Sequence, residues 1–343
     1  MPRNSQARSK QRGRGAAGKN GGNAKSGPAA QWRSWLLALL LVAAVAFAGF
    51  HWGDVKKFGE LVTHAQPLWL LAAFAVQLGT YTSLAFEWSR VLHAGRCQAP
   101  FGKLLGLTVA KHFADQMVPT AGMSGNVVVA DRLTKIGSSR SVAMAAVIMS
   151  IIAYYASYAV AAVIALLFLV VRGDGSWFAV TLIGAFLALA AAVPALSLWL
   201  QQKGKRAIPG WLQRFDSVRE LFEMIGKAPG KLVRNRRLLG ELTLLNGAAF
   251  ALDGVTMLLC LYALGIRAPF DTAFVALIMA SMVVTLGPIP MGLGSFEAVS
   301  IGTLRAKGVP FEAALSATLL FRGFTLWLPL IPGMIAARRQ LKR

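Results

Sequence analysis

Five stretches of the chain contain no Asp, Glu, Lys or Arg: Ser34–Gly53, Leu61–Phe86, Ser141–Val171, Gly175–Gln202 and Thr272–Phe296. Two more, around Leu242–Gly265 and Ala313–Ala337, carry one internal charge each, Asp253 and Arg322. A bilayer-spanning helix needs about 20 predominantly apolar residues, so the pattern predicts an all-α, polytopic helical membrane protein. Strands of a membrane barrel would instead alternate apolar and polar positions, and no such segments occur. Full spans are expected near 34–51, 67–88, 146–170, 176–199, 242–265 and 313–336, with His51–Gln66 as an interfacial segment. The regions Leu104–Ile136 and 272–308 are apolar but interrupted. Each fits either a re-entrant hairpin or a pair of crossings.

Charge then orients the spans. Only 15% of residues are charged, against about 25% in soluble domains, and the net charge is +22. Eight of the 36 basic residues fall in the first 33 positions, ten between Lys203 and Arg237, and four at Arg338, Arg339, Lys342 and Arg343. Basic residues beside spans mark the cytoplasmic side. Both termini and the 201–240 loop are therefore expected inside, whichever way the interrupted regions are read. The organisation is a basic tail (1–33), a single transmembrane domain (34–337) with repeats at about 104–171 and 272–337, and a basic end (338–343). Residues Trp211–Ile225 have amphipathic spacing that suits the membrane surface. The tail reads as solvated; RNA binding by RGRGAAGKN is the alternative. Ala46-Phe47-Ala48 resembles a signal cleavage site, but the long basic region before it favours an uncleaved anchor.

Cys97 and Cys260 form no CxxC, and the four histidines are scattered. No metal or cofactor is expected. No nucleophile stands beside a general base and no DxD-type pair occurs, so the chain is not expected to be an enzyme. No filter sequence suggests a channel.

The two interrupted regions resemble each other: MVPTAGMSGNVVVADRLTKIGSSRSVAMAA from Met117, and PIPMGLGSFEAVSIGTLRAKGVPFEAALSA from Pro288. With Pro119 on Pro290, Asn126 falls on Glu297, Gly137 on Gly308, and Ala143 and Ala146 on Ala314 and Ala317. Coincidence between Gly- and Ala-rich stretches is the plainer reading. Against it, the expected topology starts the copies from opposite sides, as in the inverted repeats of secondary transporters. A broken helix at membrane depth needs protein or water over its freed backbone, so the two breaks predict a shared polar cavity. Half-helices starting at Gly125–Asn126 and Gly294–Ser295 would favour an anion at their N-termini. Pro119, Gly122, Gly125, Asn126, Pro288, Pro290, Gly292, Gly294 and Glu297 are thus candidate substrate-binding residues, joined by the intramembrane Asp253 and Arg322. Arg322 either pairs with Asp253 or Glu297, or grips a phosphate, whose geometry a guanidinium matches. Lys111, His112 and Asp115 line a cavity or form an i,i+4 pair. Glu87 is placed to pair with Arg90, and Tyr154, Tyr155 and Tyr158 read as packing residues.

The run PIPMGLGSFEAVSIGTLRAKGVPFEAALSATLLFRGFTLWLPLIPG resembles the C-terminal signature of the lysylphosphatidylglycerol synthase transmembrane-region family, also called flippase-like proteins. The matching positions are Pro288, Pro290, Gly292, Gly294, Glu297, Gly308, Val309, Arg322, Pro332 and Gly333. MVPTAGMSGNVVVADRL resembles the family's first loop, with Asn126 where some members have a carboxylate. The resemblance covers about 34–340. It implies a bacterial inner-membrane protein that moves or handles lipids, as does the flippase half of the multiple peptide resistance factor. The chain ends in ARRQLKR, so no aminoacyl-transferase domain and no lysyl-lipid synthesis are expected. The expected function is translocation of a phospholipid or lipid-linked intermediate through a cavity between the two hairpins. The alternative is a non-transporting accessory protein of envelope lipid, hopanoid or glycolipid synthesis. Expected partners are membrane lipids with anionic or zwitterionic head groups and no nucleic acid; a lipid-biosynthesis enzyme and a second copy of the chain are left open.

Overall fold

The computed structural model describes residues 65–117, 123–173, 177–203, 229–287, 289 and 292–328. Contacts divide the chain between Val55 and Lys56, and every described residue belongs to the second unit. The span expected at 34–51, the amphipathic Trp211–Ile225, both basic tails, and most of His51–Gln66 lie outside the described residues.

Among the described residues all regular elements are helical. They are α1 (Pro67–Ala94), α2 (Phe101–Met117), α3 (Met123–Lys135), α4 (Arg140–Val171), α5 (Trp177–Lys203), α6 (Arg236–Ala263), α7 (Phe270–Leu286), α8 (Ser295–Ala306) and α9 (Phe311–Arg322). A single turn at Gly230–Val233 precedes α6, and a π-helical turn, Gly323–Trp327, follows α9. Helices α1, α4, α5 and α6 are long and apolar enough to cross a membrane. Two of them start earlier than their apolar runs, at Arg140 and Arg236 rather than near 146 and 242. The side chains just before them explain this. Ser139 Oγ accepts from Val142 N at 3.3 Å and Asn235 Oδ1 from Leu238 N at 3.2 Å, and such N-caps satisfy donors that the first turn leaves free.

The interrupted regions are hairpins, α2–α3 and α7–α8, whose limbs pack on each other. Their limbs have 17 and 13 residues in the first and 17 and 12 in the second. At 1.5 Å per residue these reach about 25 and 20 Å, short of the roughly 30 Å hydrocarbon core. The described limbs are thus shorter than the four candidate spans, which favours interrupted hairpins over paired full crossings.

The repeat extends further upstream than the sequence match. Helices α1 and α6 both have 28 residues, and α2 and α7 both have 17. The turns agree bond by bond. After α1, Cys97 N donates to Leu92 O at 2.8 Å; after α6, Ile266 N donates to Leu261 O at 3.0 Å. After α3, Ser138 N donates to Leu133 O at 3.1 Å; after α8, Val309 N donates to Leu304 O at 3.0 Å. Each is a Schellman stop, which needs one left-handed residue. Gly137, Gly308 and Gly265 supply it, and Arg96 (φ 57°) takes the place that Gly265 has in the second copy. Equivalent positions are also buried alike: Leu133 and Leu304, Ala143 and Ala314, Ala146 and Ala317 are all at most 1% exposed. The alanines allow helices to approach closely, as small residues do in membranes.

The two copies run in opposite directions. Gln66 N, before α1, bonds to Ala263 O at the end of α6 (2.8 Å), where Trp69 also meets Tyr262 edge-on. At the other end Arg90 of α1 pairs with Glu241 of α6 at 2.6 Å. The first hairpin leaves from the Arg90 end and the second from the Ala263 end, where Arg172 at the C-terminus of α4 pairs with Asp271 of α7 at 2.8 Å. This corrects the expected Glu87–Arg90 pair. Arg90 turns to the polar start of α6, while Glu87 is only 2% exposed and faces Ser150 and Asn246.

Candidate functional site at the two hairpin tips

Each hairpin tip brings a backbone N–H, a carboxylate and a cation together. In the second, Gly294 caps α8 in a left-handed conformation (φ 82°) and its N–H donates to Glu297 Oε2 at 2.7 Å. Glu297 Oε1 accepts from Arg322 Nε at 2.9 Å. The Arg322 guanidinium also lies over the Phe296 ring at 5.0 Å, and that ring stacks on Phe321. A buried Ser300–Thr318 hydrogen bond of 2.9 Å fixes α8 against α9, so the two ends of the ion pair are held by one packed unit.

In the first tip the carboxylate comes from the opposite limb. Asp115 of α2 accepts from Gly125 N through Oδ1 and from Lys111 Nζ through Oδ2, both at 2.8 Å. Asn126, the sequence counterpart of Glu297, stands in the first turn of α3. The half-helix N-termini do attract anions, as their dipoles require. The anions they hold are the protein's own.

Of the two pairings open for Arg322, the structure shows the one with Glu297. Asp253 instead faces α1, accepting from Thr80 Oγ1 at 3.0 Å and from Gln77 Nε2 at 3.3 Å. Tyr81, one residue on, links this region to both tips. Its ring meets His112 edge-on, next to Lys111, and its hydroxyl donates to Phe324 O at 3.0 Å, two residues past Arg322. Tyr154, Tyr158 and Phe250 form an aromatic cluster, with Tyr154 38% exposed.

Pro119, Gly122, Pro288 and Pro290 lie outside the described residues, as do Pro332 and Gly333. Gln77, Thr80 and Tyr81 were not singled out by sequence because they sit in a charge-free stretch. Their i, i+3, i+4 spacing on one helical face was the available signal. Among the described residues no group of His, Cys, Asp and Glu is placed to hold a metal.

Two glycines of the second tip should respond differently to substitution. Gly292 (φ 61°) and Gly294 (φ 82°) both have positive φ, but a Cβ at Gly292 would also overlap Val284, whereas Gly294 has open space. Left-handed backbone costs an L-residue about 1–2 kcal/mol, and overpacking adds about 1–3. Gly292→Ala is expected to destabilise the protein more than Gly294→Ala in denaturing-detergent titrations. Equal losses would remove the Val284 contact as a cause.

Residues 35–333 match the family described as Lysylphosphatidylglycerol synthase TM region. No curated protein matches the chain.

Proposed function

This chain belongs to the lysylphosphatidylglycerol synthase TM region family, and on that premise we propose that it is a lipid translocase of the bacterial inner membrane, with both basic termini cytoplasmic. The observation that carries this reading is the pair of hairpin tips. They enter from opposite ends of the α1–α6 pair, and each holds a carboxylate between a helix N-terminus and a cation. Such a clamp suits exchange of one anion for another. A lipid phosphate approaching the second tip would displace Glu297 from Arg322, whose forked guanidinium takes two phosphate oxygens. Arg322 has an anionic partner throughout, so the head group enters without leaving a bare cation at membrane depth, and the displaced Glu297 keeps the Gly294 N–H. Glu297 then returns as the lipid leaves. The first tip, with Lys111 and Asp115, offers the same exchange to the other leaflet. No step in this cycle makes or breaks a covalent bond.

The test is movement of labelled phospholipid in proteoliposomes, read with a leaflet-specific quencher. A lost charge-assisted hydrogen bond costs about 1.5–3 kcal/mol, so Arg322→Ala should slow movement by about tenfold to a hundredfold. Arg322→Lys, which keeps the charge but not the fork, should fall between. Full transport by Arg322→Ala would sink the assigned role. Wild-type protein that moves no lipid at all would favour the accessory role in envelope-lipid synthesis.

A further inference from the structure

Asp253 sits deep in α6, 17 positions after Arg236 and ten before Ala263, or about 26 and 15 Å along the axis. A lone carboxylate at that depth is costly, and the protein balances two of its intramembrane carboxylates with cations: Glu297 with Arg322, Asp115 with Lys111. Asp253 differs. Among the described residues its bonds are to the neutral Thr80 and Gln77. The helices packed against α6 are α1, α4, α7 and α9. From α1 it faces Gln77, Thr80 and Tyr81, and from α4 Tyr154 lies within electrostatic range. The Arg322 of α9 is engaged by Glu297, and the one titratable residue of α7, Asp271, is at that helix's far start with Arg172. Among the described residues no cation is paired with Asp253.

A second observation says what replaces the cation. Gln77 is 2% exposed, and its Oε1 has no hydrogen-bond partner among the described residues. Buried acceptors are rarely left so. A carboxylate only accepts, but a carboxylic acid carries one O–H donor, and Gln77 Oε1 is an acceptor beside it. Rotation of the amide turns its donor edge away and its acceptor edge toward Asp253. The site thus has partners for both protonation states, with Thr80 serving the ionised one.

We propose that Asp253, Gln77 and Thr80 form a proton-carrying site that couples lipid movement to the transmembrane proton gradient. A proton from water binds one Asp253 oxygen and leaves again, with no other bond made or broken. A sodium ion fits less well. Sodium sites in transporters draw on carbonyls freed where helices unwind, and α1 and α6 run unbroken through Gln77, Thr80 and Asp253. The connection to the lipid site is Tyr81, adjacent to Thr80, whose hydroxyl holds the turn after Arg322.

The coupling rests on the translocation reading; the proton site does not, so they are tested separately. The first arm is infrared difference spectroscopy of the purified full-length protein in bilayers as pH is lowered. Wild type should gain a carboxylic-acid carbonyl band that Asp253→Asn lacks and Glu87→Gln keeps. Gln77→Leu should retain the band but shift it toward that of an acid without an acceptor. Persistence of the unshifted band in Asp253→Asn, its loss only in Glu87→Gln, or a response to sodium at fixed pH would overturn the proposal. The second arm imposes a pH gradient across proteoliposomes containing labelled phospholipid. With one proton per lipid, each pH unit should shift the lipid ratio between leaflets about tenfold, and Asp253→Asn should show no shift. A gradient-driven shift in Asp253→Asn equal to wild type refutes the coupling. Absence of any lipid movement in wild type refutes translocation, while the infrared arm still decides the proton site.

Discussion

Arg322→Met should lower stability by about 3–5 kcal/mol, the range found when one partner of a buried ion pair is removed. The side chains of Arg322 and Glu297 are 8% and 19% exposed, so water does little to compensate. Glu297 would be left charged beside the half-helix, with the N-terminal dipole and Gly294 N–H as its remaining support. That support separates two roles of one carboxylate. Glu297→Gln keeps an oxygen for the Gly294 N–H, since Gln serves in a capping box as Glu does, but it gives up the charge. In the double variant Arg322→Met, Glu297→Gln the cap survives and no charge is stranded. It should therefore be more stable than Arg322→Met alone, with a coupling of about 1–3 kcal/mol, measured by denaturing-detergent titration in mixed micelles. Additive losses would show that the pair carries no mutual energy and would weaken the case for an exchangeable clamp.

Much of the frame was legible in the sequence because the two kinds of signal involved are stereochemical. Spans declare themselves by absence of charge, and the stops after α3 and α8 by glycines that must take positive φ, Gly137 and Gly308. The correspondence of α1 with α6 was not legible. A helix at membrane depth needs only to be apolar, so PLWLLAAFAVQLGTYTSLAFEWSRVLHA and RRLLGELTLLNGAAFALDGVTMLLCLYA share length but few residues. Matching residues drift for another reason too. Pro67 and Arg236 are 169 apart, as are Phe101 and Phe270, but Gly137 and Gly308 are 171 apart. Between the start of the hairpin and its closing glycine the second copy therefore holds two more residues than the first, and an alignment anchored after the break misplaces everything before it.

The charged pairs were harder still. Pairing depends on which helices meet, and Glu241, Asp271 and Asp253 all found partners more than 90 residues away. The second half-helix starts where expected, at Ser295 after Gly294, whereas the first starts at Met123, ahead of the expected Gly125–Asn126. The glycines were expected among the substrate-binding residues. In the structure Gly292 and Gly294 serve a left-handed turn, and Gly125 makes room for a carboxylate of the protein.

Gly125 offers the sharpest check on that last point. A Cβ built there would lie 2.5–2.6 Å from all three carboxyl atoms of Asp115, with no room for both. Gly125→Val should expel Asp115, remove the cap on α3 and part Asp115 from Lys111. A lost cap costs about 0.5–2 kcal/mol and overpacking about 1–3, so a loss of about 2–5 kcal/mol is expected in the same detergent titration. The cause can be isolated by first deleting the carboxylate. Gly125 lies within α3, and glycine inside a helix is less stable than alanine by roughly 0.5–1 kcal/mol. On an Asp115→Ala background, Gly125→Ala should therefore change sign and become stabilising. A destabilising Gly125→Ala on both backgrounds would mean that Asp115 is not what the glycine accommodates, and the first tip would then have to be built some other way.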